Sequence, residues 1–247
     1  MMNLKKLEDN VERPYTALLY CPPGVGKSTA IGIIAERTDG NTLVIDVDRT
    51  ITRTLAKKEV VKDISKIMIR EIDNVHTWDD WCEMAKELDA MKKNGEFEKL
   101  NIKNIAVDNV SELERCILAD LGSQGKNKGV PAMGDYQYMQ FKLVSSLRFM
   151  KSLGLNVIWT AWETTEPFVQ PDGTSYSRLY PKINAKIVDN VCGLCDIVGK
   201  IFINTDGEHG IRLEASNNVY AKNQIDDRKA VRIEDFINFK TAKEEKE

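Results

Sequence analysis

A short glycine-rich segment near the start of the chain has the residue types and the spacing needed to bind phosphate. It reads Cys21-Pro22-Pro23-Gly24-Val25-Gly26-Lys27-Ser28-Thr29, which matches G-x-x-x-x-G-K-[ST] except that a cysteine occupies the first glycine position. Glycines let backbone N–H groups point inward at a phosphate, and the lysine adds positive charge near the outer phosphates. The serine hydroxyl is a ligand for Mg²⁺. The segment predicts a phosphate-binding loop whose nucleotide contacts come from Pro23, Gly24, Val25, Gly26, Lys27, Ser28 and Thr29.

The neighbours of this loop agree with that prediction. Tyr15 to Tyr20 is an apolar run of strand length, and a helical stretch runs from Lys27 to about Arg37. The N-terminal end of such a helix directs its positive dipole toward bound phosphate. The thiol of Cys21 fits at the end of the strand, provided that the loop does not need a positive φ there. The strand–loop–helix order therefore favours a nucleotide site over an accidental glycine-rich turn.

Carboxylates follow two further apolar strands. Asp108 ends one of them, in the form that supplies an acid to the Mg²⁺ shell, so we predict that Ser28 and Asp108 hold the metal. Hydrolysis also needs a group that positions water, and Asp46 and Asp48 lie where the strand Thr42–Val47 reaches the ligand-binding edge of an open α/β sheet. Residues two apart on a strand point to the same face, so spacing does not choose between them. We favour Asp48 because it is nearer the edge.

Strands and helices alternate along the chain, which predicts an α/β fold with a mostly parallel central sheet flanked by helices. The other predicted strands cover residues 66–70, 103–108 and 155–162, and the other predicted helices start at residue 77 or cover 111–121, 136–153 and 183–194. Residues 197–204 and 211–215 flank an Asp206-Gly207 turn and predict a C-terminal hairpin. We divide the chain into a flexible arm (1–13), one domain (14–240) and a charged tail (241–247).

The composition restricts the classes of function. The net charge is −3 and the pI is about 5.7, so any contact with nucleic acid must come from local basic patches. The five cysteines are scattered, and Cys192-x-x-Cys195 has no second pair nearby, which predicts buried thiols and not a zinc site. The sequence shows no signal peptide and no apolar run near the ~20 residues that span a membrane. These patterns predict a cytoplasmic protein without membrane contact.

Two long segments are predicted to be loops on the basis of their composition. They are Gly122 to Asp135, which is rich in glycine, and Glu163 to Tyr180. His76 lies just before a helix start and His209 lies in a turn, so both are expected at the surface.

With these residues placed, the chain resembles RecA-like ATPases. More narrowly, it resembles the compact AAA-domain nucleotide-binding proteins of phage recombination modules, some of which act as single-strand annealing ATPases. The resemblance covers about residues 14–225. TLVIDVDRT resembles the RecA strand whose terminal acid activates water, and Asp48 falls on that acid; IAVDNVSEL resembles the strand with the metal-binding acid. Tyr220-Ala221-Lys222-Asn223-Gln224 resembles the segment that reaches a neighbour's γ-phosphate in RecA filaments, which implies a homo-oligomer and a catalytic role for Lys222.

The two long segments occupy the places of the RecA DNA-binding loops. The resemblance implies that Lys126 and Lys128 of the first segment and Arg178 of the second contact DNA. It further implies ATP and Mg²⁺ as cofactors, single-stranded DNA as the partner that stimulates hydrolysis, and a single-strand-binding protein as a second partner. The function that follows is ATP-dependent binding of single-stranded DNA with annealing or strand exchange, in the host cytoplasm if the protein is phage-encoded.

Two other functions stay open at this point. A P-loop kinase acting on a small molecule needs a lid with several convergent arginines, whereas the second segment contains only Arg178. A nucleotide-gated binding or loader module with little hydrolysis agrees with Cys21 in the loop and with the short side chain of Asp48. ATP turnover measured with and without single-stranded DNA separates the three functions.

Overall fold

The computed structural model describes residues 13–239. The predicted tail and nearly all of the predicted arm therefore lie outside the described residues; Arg13 is described, and its guanidinium donates to Asp196 at 3.2 Å. The strands are β1 Thr16–Tyr20, β2 Asn41–Asp46, β3 Ile67–Glu71, β4 Ile102–Asp108, β5 Asn156–Ala161, β6 Glu163–Val169, β7 Ser175–Pro181, β8 Ile197–Ile203, β9 His209–Arg212, β10 Lys222–Asn223 and β11 Ala230–Arg232. The helices are α1 Lys27–Arg37, α2 Ile51–Leu55, α3 Thr77–Lys93, α4 Glu96–Lys99, α5 Val110–Gln124, α6 Met133–Ser152 and α7 Val188–Leu194, with 3₁₀ turns at Ile64–Lys66 and Ile233–Asp235.

A nine-stranded sheet forms the centre of the molecule. Its order is β11-β9-β8-β1-β5-β4-β2-β3, and β10 pairs with β8 outside this path. The strands from β8 to β3 in this order are parallel, whereas β9, β10 and β11 are antiparallel to their neighbours. The predicted mostly parallel sheet with a C-terminal hairpin is thus confirmed. Tyr20 lies opposite Ala161, and Asp46 lies opposite Asp108, so the strands that precede the predicted site residues end along one edge.

Two hydrophobic clusters fill the two faces of this sheet. Side chains of a strand alternate between faces, and on β1 Leu18 belongs to one cluster while Leu19 belongs to the other. Helices α3, α5 and α6 cover the first face, and α1 and α2 cover the second. Trp81 of α3 is buried and donates its indole N–H to the hydroxyl of Ser146 at 2.9 Å, so its polar atom is satisfied inside the core.

The first predicted loop is much shorter than expected. Residues 122–124 complete α5 and residues 133–135 begin α6, which leaves residues 125–132 as the connection. Local hydrogen bonds explain both extensions: Ser123 and Gln124 bond to Asp120, one turn back, and the carboxylate of Asp135 accepts the backbone N–H of Ala132 at 2.7 Å.

The prediction of a loop from Glu163 to Tyr180 is wrong, because these residues form a β-hairpin. Strands β6 and β7 pair from Glu163 opposite Pro181 to Val169 opposite Ser175. The turn contains Asp172-Gly173, with a φ of 86° at Gly173 that suits glycine. A second difference is that the predicted helix 183–194 shortens to α7, since only residues 188–194 are helical.

The cysteines agree with a further expectation. All five cysteines are free, and Cys192 and Cys195 are both buried, as the isolated C-x-x-C predicted. Over residues 13–239, helices that combine the length and the apolarity needed to cross a membrane are absent.

Candidate nucleotide-binding site

The glycine-rich loop leaves the end of β1 and enters α1 at Lys27. Two of its residues adopt left-handed backbone conformations, Gly24 with a φ of 81° and Gly26 with a φ of 115°. Cys21 is fully buried and is not among the positive-φ residues, so it occupies the first glycine position without backbone strain. Burial raises the pKa of the Cys21 thiol to about 11, which keeps the sulfur protonated and unreactive near neutral pH.

Lys27 lies with its ammonium group inside the loop. The side chain is largely buried, and Nζ donates a long hydrogen bond of 3.5 Å to the carbonyl of Pro22. Because that bond is weak, the lysine charge remains available to a phosphate that enters the loop. The loop therefore has the positive charge and the backbone geometry that the motif predicts.

Ser28 and Asp108 are brought together although they are 80 residues apart. The Ser28 hydroxyl donates to Oδ2 of Asp108 at 2.8 Å, and the Thr160 hydroxyl donates to Oδ1 of the same carboxylate. An oxygen-only set of this kind fits Mg²⁺. Residues 13–239 contain no cluster of three or more histidine, cysteine or acidic side chains that could hold a metal by itself, so the ion would take its other ligands from water and phosphate.

The structure separates the two acids that spacing could not. Asp46 is completely buried, and its carboxylate accepts the backbone N–H groups of Thr50 at 3.4 Å and Ile51 at 3.2 Å, which holds the start of α2. Strand β2 ends at Asp46, so the alternation of faces does not continue to Asp48. The Asp48 side chain turns instead toward Asn109 at the start of α5.

The two carboxylate oxygens of Asp48 have different surroundings. The Asn109 amide donates to Oδ2 of Asp48 at 2.7 Å, whereas Oδ1 is buried and has no partner among the described residues. Burial, together with the negative charges of Asp108 and Glu112, raises the pKa of the Asp48 carboxyl to about 7. A carboxyl with a pKa near neutrality can orient water and take a proton from it.

Several residues at this edge carry no motif signal in the sequence. Thr160 is one residue from the end of β5 and holds the metal-binding acid, and Asn109 both caps α5 through the Glu112 N–H at 2.9 Å and orients Asp48. Glu163 and Lys200 form a half-buried ion pair with an N–O distance of 3.0 Å, and both charges act on Cys21. His209, a fourth such feature, packs against Gly26. Strand pairing alone brings these residues together, so only the fold reveals them.

The predicted DNA-contacting residues lie in different surroundings. Lys126 and Lys128 are exposed in the short connection between α5 and α6. Arg178 is engaged by other residues of the chain: its guanidinium carbon lies 3.2 Å from the ring centroid of Phe168 in the same hairpin, and Nε donates to the carbonyl of Asn217 outside it at 3.2 Å.

Within this chain, Lys222 lies at the opposite end of the parallel strands from the phosphate loop. Its ammonium donates to the carbonyls of Cys192 at 3.3 Å, Gly193 at 3.1 Å and Cys195 at 2.6 Å, at the C-terminal end of α7. These residues precede the start of β8, whereas the phosphate loop follows the end of the parallel strand β1. Lys222 therefore caps a helix here, and the nucleotide site of the same chain does not include it.

The loop, the Ser28–Asp108 pair and the parallel sheet together define a P-loop nucleotide-binding protein. Residues 13–225 match a family model described as an AAA domain. Because the match covers most of the chain, the protein belongs to this AAA-domain family of P-loop ATPases, which implies ATP as the nucleotide and Mg²⁺ as its metal.

Other comparisons add little beyond the family. No curated protein matches the sequence. One similar solved structure is that of a prototypical ATPase from the type III secretion system of pathogenic bacteria, with 16% identity and a TM-score of 0.46. The alignment covers 78% of this chain and 52% of that one, so the chain spans about half the length of that ATPase.

Proposed function

We propose that the protein hydrolyses ATP and couples this reaction to binding of single-stranded DNA, with annealing or strand exchange as the outcome. The observation that carries the ATPase part is the unpaired buried oxygen of Asp48 beside the metal-binding carboxylate of Asp108. Such a group is costly to bury in a protein that only stores a nucleotide, but it is useful in one that must position water.

Each group at the site has one task in this reaction. Backbone N–H groups of the loop and the ammonium of Lys27 hold the phosphates, and the oxygens of Ser28 and Asp108 hold Mg²⁺, which neutralises phosphate charge when bound. Asp48 orients the attacking water and accepts its proton. Asn109 takes part in this reaction only through Asp48, because its amide fixes the carboxylate that orients the water. Thr160 does the same for Asp108.

The DNA part of the proposal is supported by exposed cations beside exposed aromatic rings. Lys126 and Lys128 precede α6, whose side chains Tyr136, Tyr138 and Phe141 are all exposed. Cations along a path with ring faces are the features that bind single strands without sequence preference. Arg178 on the face of Phe168 offers a second place where a base could stack, at the β6–β7 hairpin.

We also propose that the active form is a homo-oligomer and that a single-strand-binding protein is a further partner. Lys222 can serve a neighbour's nucleotide only if it leaves the carbonyls that now accept its three hydrogen bonds. A change of Lys222 to Met that lowers helix stability without lowering turnover would remove this residue from the catalytic set.

ATP turnover by the wild-type protein, measured with and without a single-stranded oligonucleotide, tests the proposal. We expect turnover that increases on addition of the oligonucleotide and is lost in Lys27→Ala. Slow turnover that is not changed by DNA would favour the nucleotide-gated module instead, which agrees with Cys21 in the loop and with the short side chain of Asp48. Phosphate transfer to a small molecule without free phosphate release would favour a kinase.

A further inference from the structure

The hairpin β8–β9 extends past the end of the strand that carries the phosphate loop. Strand β8 pairs with β1 from Ile197 opposite Ala17 to Lys200 opposite Tyr20, and then continues to Ile203. Strand β9 returns with His209 opposite Ile203. The first residue of β9 therefore stands about three residues beyond the end of β1, roughly 10 Å at the rise of a strand, which is the level of the loop.

His209 packs directly on the phosphate loop. A Cβ placed on Gly26 would lie 2.7 Å from Nδ1 of His209 and 2.8 Å from Cε1, closer than real Cβ contacts allow. Glycine is therefore required at position 26 for two reasons: it tolerates the φ of 115°, and it leaves room for the imidazole ring of His209. The sequence suggested a surface histidine in a turn, whereas the ring is half-buried against the residue that precedes Lys27.

The ring nitrogen that faces the loop has no partner. Nδ1 of His209 is shielded from solvent and makes no hydrogen bond to any residue between 13 and 239. A buried imidazole nitrogen normally has a hydrogen-bond partner, because an unmade bond inside a protein is costly. The missing partner is best explained by a ligand, and the ligand that lies along this loop is a nucleoside triphosphate.

We propose that His209 is a nucleotide-binding residue whose imidazole ring turns when the ligand binds, so that Nδ1–H donates to an oxygen of the phosphate chain held by the loop. The inference rests on the proposed function only in requiring that the loop bind a nucleotide. It gives the β8–β9 hairpin a direct contact with the ligand. We assign the acceptor as a phosphate oxygen because Gly26 directly precedes Lys27, the residue that binds the outer phosphates.

Four variants separate a hydrogen bond from simple packing. His209→Asn keeps a donor near the position of Nδ1, His209→Phe keeps a ring but no donor, His209→Ala removes both, and His76→Ala changes the other histidine, which is exposed. Binding of a fluorescent ATP analogue and of ADP with Mg²⁺ is measured for each by titration. We expect His209→Phe and His209→Ala to bind roughly 10- to 100-fold more weakly, with His209→Asn within a few-fold of wild type and His76→Ala unchanged.

A spectroscopic measurement on the wild-type protein avoids any dependence on variant folding. The chain has two histidines, so its imidazole protons give two sets of NMR signals that His76→Ala assigns. We expect the His209 signals to move on addition of ADP with Mg²⁺, and those of His76 to stay. Unmoved His209 signals in a nucleotide-saturated sample would overturn the inference, as would affinity kept by His209→Phe and lost by His209→Asn.

Failure of the nucleotide site as a whole gives a different result from failure of the His209 contact alone. A folded wild-type protein that binds neither ATP nor ADP would reject the nucleotide site itself, and the His209 contact with it. Wild-type binding that is equal in all four variants would reject only the role of His209 and leave the phosphate loop intact.

Discussion

Replacing Asp48 with asparagine tests the electrostatic account of the site. In the folded protein this carboxyl is buried beside Asp108 and Glu112, and its pKa rises from an ordinary 3.8 to about 7. Asparagine keeps the shape and still accepts the bond from Asn109, but it has no charge to bury. We therefore expect Asp48→Asn to be more stable than wild type at alkaline pH and to have lost ATP hydrolysis, because activity and stability are in conflict at such a position.

The magnitude follows from the difference between the folded and unfolded pKa values. The pKa of this carboxyl is about 7 in the folded protein and near 3.8 in the unfolded chain, a difference of about 3 units. At 1.36 kcal/mol per unit, ionisation of Asp48 lowers the free energy of unfolding by at most about 4 kcal/mol. Asp48 is partly exposed, and solvent screening reduces this to about 2 kcal/mol. For a domain of this size, that shifts the midpoint of thermal unfolding by about 4–8 °C.

The sign depends on pH in a defined way. Between 3.8 and about 7 the folded wild type retains a proton that the unfolded chain has released, so the Asp48 contribution lowers stability as pH rises. Above the folded pKa of about 7, the loss of stability caused by Asp48 is complete and no longer changes with pH. The advantage of Asp48→Asn should thus be small near pH 4, grow between pH 4 and 7, and stay level at pH 8.

Urea unfolding of nucleotide-free, magnesium-free protein at pH 5 and pH 8 measures this difference. Asp39→Asn, at an exposed position in the turn before β2, controls for the change in net charge. An Asp48→Asn protein that is no more stable than wild type at pH 8, or whose advantage is equal at both pH values, would refute the reasoning. Loss of turnover in Asp46→Asn but not in Asp48→Asn would reverse the assignment of the two acids.

Further predictions concern the loop, the metal and the DNA. Lys27→Ala should lower turnover by about 10²–10³-fold, because one preorganised contact to the transferring group is lost; near-normal turnover by a folded variant would contradict the mechanism. Asp108→Asn should weaken Mg²⁺-dependent nucleotide binding, measured by titration with and without EDTA, and equal affinities would argue against a metal role. Changing Lys126 and Lys128 together to alanine should make the salt dependence of DNA binding shallower by about 1.4, at 0.7 per phosphate, in anisotropy titrations with ATP present. Arg178→Ala should weaken DNA binding without changing ATP binding, and unchanged DNA affinity would place the contact elsewhere.

Much of the fold could be predicted because its signals are local. Apolar runs followed by helical stripes mark a parallel sheet, and an Asp-Gly pair marks a hairpin between β8 and β9. Asp172-Gly173 is the same kind of pair, but the residues around it predict a loop, since β6 and β7 lie outside the main sheet and are mostly half-buried or exposed. Strands that bury little apolar surface have weak alternation, and composition then favours a loop.

Only some residues of the site could be predicted from the sequence. The phosphate loop and Asp108 have spacings and neighbours that can be recognised from sequence, whereas Thr160, Lys200 and His209 are ordinary residues until strand pairing sets their positions. Register is the missing information. Lys200 lies opposite Tyr20 only because β8 pairs with β1 in parallel, and the chain separates these two residues by most of the domain.

Two of the buried polar atoms without hydrogen-bond partners among residues 13–239 are Oδ1 of Asp48 and Nδ1 of His209, which lie on opposite sides of the phosphate loop. In the sheet order, β1 lies between β8 and β9 on one side and β5, β4 and β2 on the other. Each unpaired buried group costs about 1–3 kcal/mol in the ligand-free protein. A nucleotide in the loop, with the water that it brings, would reach both groups and recover that free energy, so stabilisation by ligand should exceed what loop contacts alone provide. The variants Asp48→Asn and His209→Phe should each reduce that excess, and because they act on opposite sides of the loop, their effects should add.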